Sequence, residues 1–186
     1  FHPSLEKGKI RKKLNLSEER KIVLSPRNLS TNYNIDTILK AVPTVKEKIK
    51  NVVFIFIYFS NNMESVYRKL VTDLEIEENV FFESSIHNEN ISSYYIDSDL
   101  IVSVPSSDSS PSSVYEAMAC EKPVIISDIP WYHGKFKNNQ HLTVVPPRNV
   151  ESLAIEIERS LLGKTKLNLK EAARKVHCNM NLSKEN

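Results

Sequence analysis

The sequence predicts an open, doubly wound α/β sheet of about six parallel strands, and three observations carry that expectation. Six short runs rich in Val, Ile and Phe are almost free of polar residues, as strands buried on both faces are. Stretches with helical spacing separate them, and alternation of strand and helix implies repeated βαβ units. The length of 186 residues fits one domain at roughly 100–200 residues per domain.

In order, the strands are KIVLS from Lys21, VVFIFIYF from Val52, VFF from Val80, LIVSV from Leu100, PVIIS from Pro123 and LTVV from Leu142. Ahead of them the basic run Lys7, Lys9, Arg11, Lys12 and Lys13 reads as the solvated face of a short helix. Ile35, Ile38, Leu39 and Val42 recur at helical steps after the first strand, and Val66, Leu70, Val71 and Leu74 after the second. Val150, Leu153, Ile157 and Leu161 follow the last strand, with Asn149 placed to cap their helix. Asn168 and Glu171 have the spacing of a variant capping box for a terminal helix through LKEAARKV. The serine-rich PSSDSSPSS of residues 105–113 has a linker's composition, yet it joins a strand directly to a helix in mid-domain. The chain opens on FHPSLEKGK without a strand and closes on CNMNLSKEN just past a helix, so a piece of a longer protein is expected.

Charge and cysteine content narrow the function classes. With 25 Lys+Arg against 23 Asp+Glu, the net charge of +2 gives no electrostatic reason to expect a nucleic-acid partner. The longest apolar run, residues 52–59, is less than half of the ~20 residues that span a bilayer. No N-terminal stretch has the order of a signal peptide. A cytoplasmic protein is expected, with the basic run as a minor case for peripheral contact at a membrane. Cys120 and Cys178 are too few for a disulfide framework, and Cys120 reads as a small apolar residue ending a helix. His2, His87, His133, His141 and His177 have no zinc-like i,i+4 pairing or carboxylate partner, so no metal is expected. Asp97-Ser98-Asp99 spells a metal-binding D-x-D, but it precedes a strand and reads as a helix end and turn.

In an open α/β sheet ligands bind beyond the C-terminal ends of the strands. That singles out SPRNLSTNYN after the first strand, PSSDSSP after the fourth and SDIPWYHG after the fifth. Pro111 suits the first position of a helix, where its missing N–H costs nothing. The amides of Ser112 and Ser113 are then unpaired donors at a positive helix end, which favours an anion. Glu116 lies eight positions after Asp108, on the same helix face as Ser112; a carboxylate there suits ribose hydroxyls. Arg27 faces the same cleft, and its planar fork suits a diphosphate. The competing reading makes the Ser and Asp residues caps and turns, and Glu116 and Arg27 surface charges. A dinucleotide oxidoreductase is disfavoured, because there is no G-x-G-x-x-G and Gly8, Gly134 and Gly163 lie far from strand–helix turns.

The stretch SDSSPSSVYEAMACEKPVIISDIP resembles the donor-binding signature of GT-B glycosyltransferases, family 4 in particular: an acidic pair eight positions apart runs into EAMA and then KPV. SPRNLSTNYNIDTILKA resembles the phosphate loop and following helix of that family, and LTVVPPRNVESLAIEIERSLL its closing strand and helix. The resemblance implies that residues 1–186 form one Rossmann-like domain that binds a nucleotide-sugar donor, with the acceptor-binding N-terminal domain absent from this chain. It implies a retaining, metal-independent hexosyltransferase of polysaccharide biosynthesis without a cofactor. The donor substrate is a UDP- or GDP-sugar and the acceptor a glycan or lipid-linked molecule. Residue by residue, it implies that Asp108 contacts the donor sugar and is catalytic together with Arg27. Glu116 holds the ribose hydroxyls, Ser110, Ser112 and Ser113 meet the sugar and diphosphate, and Arg27 and Tyr33 lie on the diphosphate. Ile86, in the segment of residues 84–87, borders the base.

The sequence departs from the family's pattern at four places. Tyr33 stands where the family has a phosphate-binding lysine, and Asn34 where it has glycine; Asn tolerates left-handed geometry, so the turn is expected to survive. Glu121 replaces the glycine of the CGKP segment, and Trp131 occupies a loop position that is usually small. The alternative function is therefore a GT-B-like nucleotide-binding module with weak turnover or none, and a nucleotide-sugar epimerase is a weaker third.

Overall fold

The computed structural model describes residues 1–59, 63–84, 86 and 88–182. Six strands form one sheet: β1 (Lys21–Ser25), β2 (Val52–Tyr58), β3 (Val80–Ser84), β4 (Leu100–Ser103), β5 (Val124–Ser127) and β6 (Thr143–Val145). Their order is β3-β2-β1-β4-β5-β6, and every neighbouring pair is parallel. Helices α1 (Lys9–Lys13), α2 (Ile35–Lys48), α3 (Glu64–Asp73), α4 (Asn88–Asp97), α5 (Ser112–Ala119), α6 (Val150–Leu161) and α7 (Leu169–Leu182) cover both faces. The Rossmann-like α/β architecture is the one expected. Some apolar runs overshoot their strands: Phe59 turns its amide to Asn28 Oδ1 (2.8 Å), and β2 stops at Tyr58.

β2 explains why the strands read as unbroken apolar runs. All seven of its residues are buried. Val52, Phe54, Phe56 and Tyr58 join the core under α2, α3 and α6, while Val53, Ile55 and Ile57 join the core under α1, α4, α5 and α7. Side chains alternate across a strand, so two covered faces require an apolar residue at every position.

The helix starts follow local chemistry. Asn149 caps α6 by accepting the Ser152 amide at 2.8 Å. Asn168 caps α7 by accepting the Glu171 amide (3.1 Å), but the return bond of a capping box is replaced: its side-chain amide donates to the Glu171 carboxylate (3.0 Å), while its backbone amide donates to the Gln140 carbonyl (2.7 Å). Pro111 differs from the expectation. It is the N-cap of α5, at φ −74° and ψ 97°, and Ser112 is the first helical residue. Its extended ψ leads the chain into the helix from the β4 loop. The Pro111 carbonyl accepts the Val114 amide (3.0 Å), so the amides of Ser112 and Ser113 precede the first helical bond.

Asp97-Ser98-Asp99 sits at the N-terminal edge of the sheet, as its position before β4 requires. Asp97 accepts the amides of Gly8 (2.5 Å), Ile10 (2.6 Å) and Arg11 (3.3 Å), fixing the start of α1. Asp99 accepts the Ile22 amide (2.8 Å) and pairs with Arg11 (3.4 Å) and Lys21 (3.6 Å). No helix among the described residues is long and apolar enough to cross a membrane.

Candidate functional site

Strand order reverses direction between β1 and β4, and there the loops leaving the two strands part and open a crevice. A cleft of about 280 Å³ lies at this point. Its wall takes Arg27 and Tyr33 from the β1 loop, Ile57 and Phe59 from the end of β2, Tyr95 from α4, and Ser112, Ser113 and Glu116 from α5. Five of the eight residues singled out in the sequence therefore meet in one cavity: Arg27, Tyr33, Ser112, Ser113 and Glu116.

Arg27 organises the site. Its guanidinium is ion-paired with Asp108, donates to Ser113 Oγ at 2.9 Å and lies 4.3 Å above the centroid of the Tyr33 ring. Stacking on an aromatic face and forking between oxygens are two things a guanidinium does that an ammonium cannot. Only 9% of the side chain is exposed, yet its buried Nε has no hydrogen-bond partner among the described residues. A buried donor without a partner costs roughly 1–3 kcal/mol.

Asn34 carries the turn after Tyr33. Its φ of 49° and ψ of 42° are left-handed, as expected for an Asn standing where glycine is usual. Its side-chain amide donates to the Val104 carbonyl (2.8 Å) and Ser106 Oγ (3.0 Å), so it ties the β1 loop to the β4 loop. Arg148, from the turn before α6, donates through Nε to Asn34 Oδ1 and Ser106 Oγ, both at 3.2 Å. This brings a second cation to the loops beside Tyr33. Sequence reasoning missed it, because the two partners are far apart in the chain.

Glu116 points from α5 into the cleft and accepts a 2.8 Å hydrogen bond from the Tyr95 hydroxyl. Burial, then the Glu116 charge beside it, push the Tyr95 hydroxyl well above its ordinary value of 10.0, so it stays a donor at any working pH. Nothing in the tandem Tyr94-Tyr95 of the sequence distinguished this residue from core packing.

Three candidates fall elsewhere. Asp108 is held off the cleft wall by its pair with Arg27 and by the Ser110 amide, which it accepts at 3.2 Å. Ser110 is likewise outside the wall. Ile86 lines a separate cavity with Lys13, Ser84 and Tyr94, while Ser85 and His87 of the same segment lie outside the described residues. The β5 loop contributes nothing to the cleft: Trp131 is buried against Tyr115 and Phe136, so its bulk packs into the core. Cys120 is buried at the end of α5, and burial raises its thiol above the ordinary value. His141, buried, does find a carboxylate: its Nε2 is 3.1 Å from Glu171 while Nδ1 accepts the Lys137 amide at 2.9 Å. The contact is long-range, hence invisible in the spacing. Among the described residues no group of three or more His, Cys, Asp or Glu is placed to hold a metal ion.

Known proteins share this fold. Residues 6–176 match the family of glycosyl transferases group 1. An uncharacterised glycosyltransferase of Methanocaldococcus jannaschii is 24% identical over 164 residues, which are 84% of this chain and 40% of that protein. The chain thus spans well under half the length of this curated relative. Sucrose-phosphate synthase from Thermosynechococcus elongatus superposes with a TM-score of 0.82 at 22% identity, over 96% of this chain and 45% of that one. HepE of Anabaena, solved with UDP-glucose, gives 0.75 at 17% identity, over 95% of this chain and 48% of its own. These likenesses show the fold, a GT-B-type Rossmann-like sheet. The family match extends over nearly the whole sheet and every residue of the cleft, and by it the chain belongs to the group 1 glycosyl transferases.

Proposed function

We propose that the cleft binds the nucleoside diphosphate of a UDP- or GDP-sugar, and that the chain is the donor domain of a longer, retaining hexosyltransferase of the family 4 kind. The observation that carries this reading is the meeting of the Arg27 guanidinium, the first residues of α5 and the Glu116 carboxylate in the wall of one cavity. The first two suit a diphosphate and the third suits a ribose. In transfer, the bond between the anomeric carbon and the diphosphate breaks with its electron pair on the diphosphate, the acceptor hydroxyl oxygen bonds to that carbon, and the hydroxyl proton passes to the departing diphosphate. The charge gathers on the departing diphosphate, where Arg27 and the helix amides stabilise it without a metal ion. Asp108 reaches the donor sugar once the diphosphate draws Arg27 away from it. The acceptor, a glycan or lipid-linked molecule, is held by a domain outside this chain, and the enzyme works in the cytoplasm, at a membrane surface where the acceptor is lipid-linked.

The rival is a nucleotide-binding module without turnover, favoured by Tyr33, which brings no cation to the phosphates. Arg148 is committed to Asn34 and Ser106 outside the cleft wall, so it does not replace that cation. Glu116→Gln tests the site. It is expected to weaken UDP or GDP roughly 10- to 100-fold in calorimetric titration, with little change in melting temperature. An unchanged affinity would make Glu116 a surface carboxylate and remove the ribose reading.

A further inference from the structure

We infer that Tyr95 is a positioning residue for Glu116, and that through it the cleft selects a ribonucleotide over a 2′-deoxyribonucleotide. The inference rests on the reading of Glu116 as the ribose-binding group. It adds a residue that neither the sequence pattern nor the diphosphate chemistry points to.

The geometry is one-directional. An ionised carboxylate only accepts, so the Tyr95 O–H donates and Glu116 Oε2 receives at 2.8 Å. Tyr95 is 1% exposed and held in the core of α4, with the Phe1 ring edge-on to it at 5.4 Å. Glu116, by contrast, is half-buried and lines the cavity. A Glu left free there must surrender rotamer entropy when ligand binds, a loss on the scale of 1.5–2 kcal/mol for long side chains. The tyrosine removes that loss in advance by fixing one oxygen. A carboxylate has about four lone-pair sites, so Oε1 and the remaining side of Oε2 stay free for two hydroxyls. Burial keeps the phenol protonated, so Tyr95 remains the donor.

The other role open to Tyr95 is structural: the hydroxyl satisfies itself on the nearest acceptor, and Glu116 gains nothing. The two roles part at the 2′-hydroxyl. A structural tyrosine affects every nucleotide alike, whereas a positioning one affects affinity in proportion to the hydroxyls that Glu116 holds, more for the ribonucleotide with two than for the 2′-deoxyribonucleotide with one.

The experiment is calorimetric titration of the protein with UDP, 2′-deoxy-UDP, GDP and 2′-deoxy-GDP. One hydroxyl bound to a charged group predicts about a tenfold preference for the ribonucleotide in the wild type. Tyr95→Phe, which removes one oxygen atom and keeps the ring, is expected to cut that preference to roughly threefold or less, weakening the 2′-deoxyribonucleotides less than the ribonucleotides. In a Glu116→Gln background the same substitution should add nothing, as two residues acting through one contact require. Glu116→Asp supplies a second route that leaves Tyr95 intact. It withdraws the carboxylate by one methylene and should lower the preference to the same extent with the charge retained. If Glu116→Gln abolishes the preference while Tyr95→Phe keeps it, Tyr95 is structural and the inference fails alone, whatever Glu116→Asp does. If the wild type binds neither nucleotide, or does not distinguish ribose from deoxyribose, the ribose reading of Glu116 fails and takes the inference with it.

Discussion

Strand β4 carries a cluster of Asp and Ser at each end, and the two clusters have opposite fates. At its N-terminal end, Asp97 and Asp99 spend their oxygens on the fold: four backbone amides, a guanidinium and an ammonium converge on them. At its C-terminal end, Asp108 and Ser113 hold Arg27, but donors remain over, namely the buried Arg27 Nε and the first amides of α5. Composition does not separate the two. What separates them is leftover hydrogen-bonding capacity, and in a parallel sheet that surplus collects at the C-terminal edge, where helices begin and point their unpaired amides inward.

The largest expected effect tests the surplus directly. Arg27→Ala should weaken UDP or GDP by about 3 kcal/mol, on the order of 100-fold, in the same calorimetric titration. It removes the cation from the diphosphate and leaves Asp108, 15% exposed, without its partner. Arg27→Lys should recover only part of the loss, because an ammonium cannot donate to two groups in one plane while stacked on Tyr33. Full recovery would mean that charge alone matters.

Much of this edge was legible in the sequence. The alternation of apolar runs and helical spacing placed the loops, and a Pro followed by two serines marked a helix start. The register of detail was off by one residue: Pro111 is the cap and Ser112 opens the helix. Asp108 was assigned to the sugar, yet in the structure Arg27 engages it, a contact between residues 81 positions apart that spacing does not encode. Tyr95 and Phe59 went unseen for the same reason. Each reaches the site through tertiary packing, and each looks from its neighbours like an ordinary core residue.

The opposite cluster should answer in the opposite currency. Asp97→Ala strands three backbone amides at the start of α1. Hydrogen bonds to a charged acceptor are worth roughly 1.5–3 kcal/mol, so a loss of about 2 kcal/mol is expected, or roughly 4–8 °C in melting temperature for a chain of this size. Nucleotide affinity should not change. A weakened affinity at constant stability would show that the N-terminal edge communicates with the cleft, and the contrast drawn from β4 would fail.

The smallest effect concerns the same N-terminal edge and has the reverse sign. Past the last turn of α5, the Glu121 amide donates to the Met118 carbonyl (2.9 Å) and the Lys122 amide to the Ala117 carbonyl (3.0 Å). This paired closure needs a left-handed residue between helix and exit, normally glycine. Here Glu121 takes that place at φ 52°. A side chain in that region costs roughly 1–2 kcal/mol, and glycine's extra unfolded-state entropy returns part of it. Glu121→Gly should therefore stabilise the protein by about 0.5–1 kcal/mol, seen as a rise of roughly 2–4 °C in melting temperature. Lys122, whose ammonium donates to the carbonyls of Ile96 (2.7 Å) and Ser98 (2.9 Å), keeps its place in either case. The departure of Glu121 from the family's glycine is then a matter of backbone strain at the far end of the sheet, with nucleotide affinity unmoved. A fall in melting temperature on going to glycine would mean that the glutamate side chain makes a compensating contact worth more than the strain it carries.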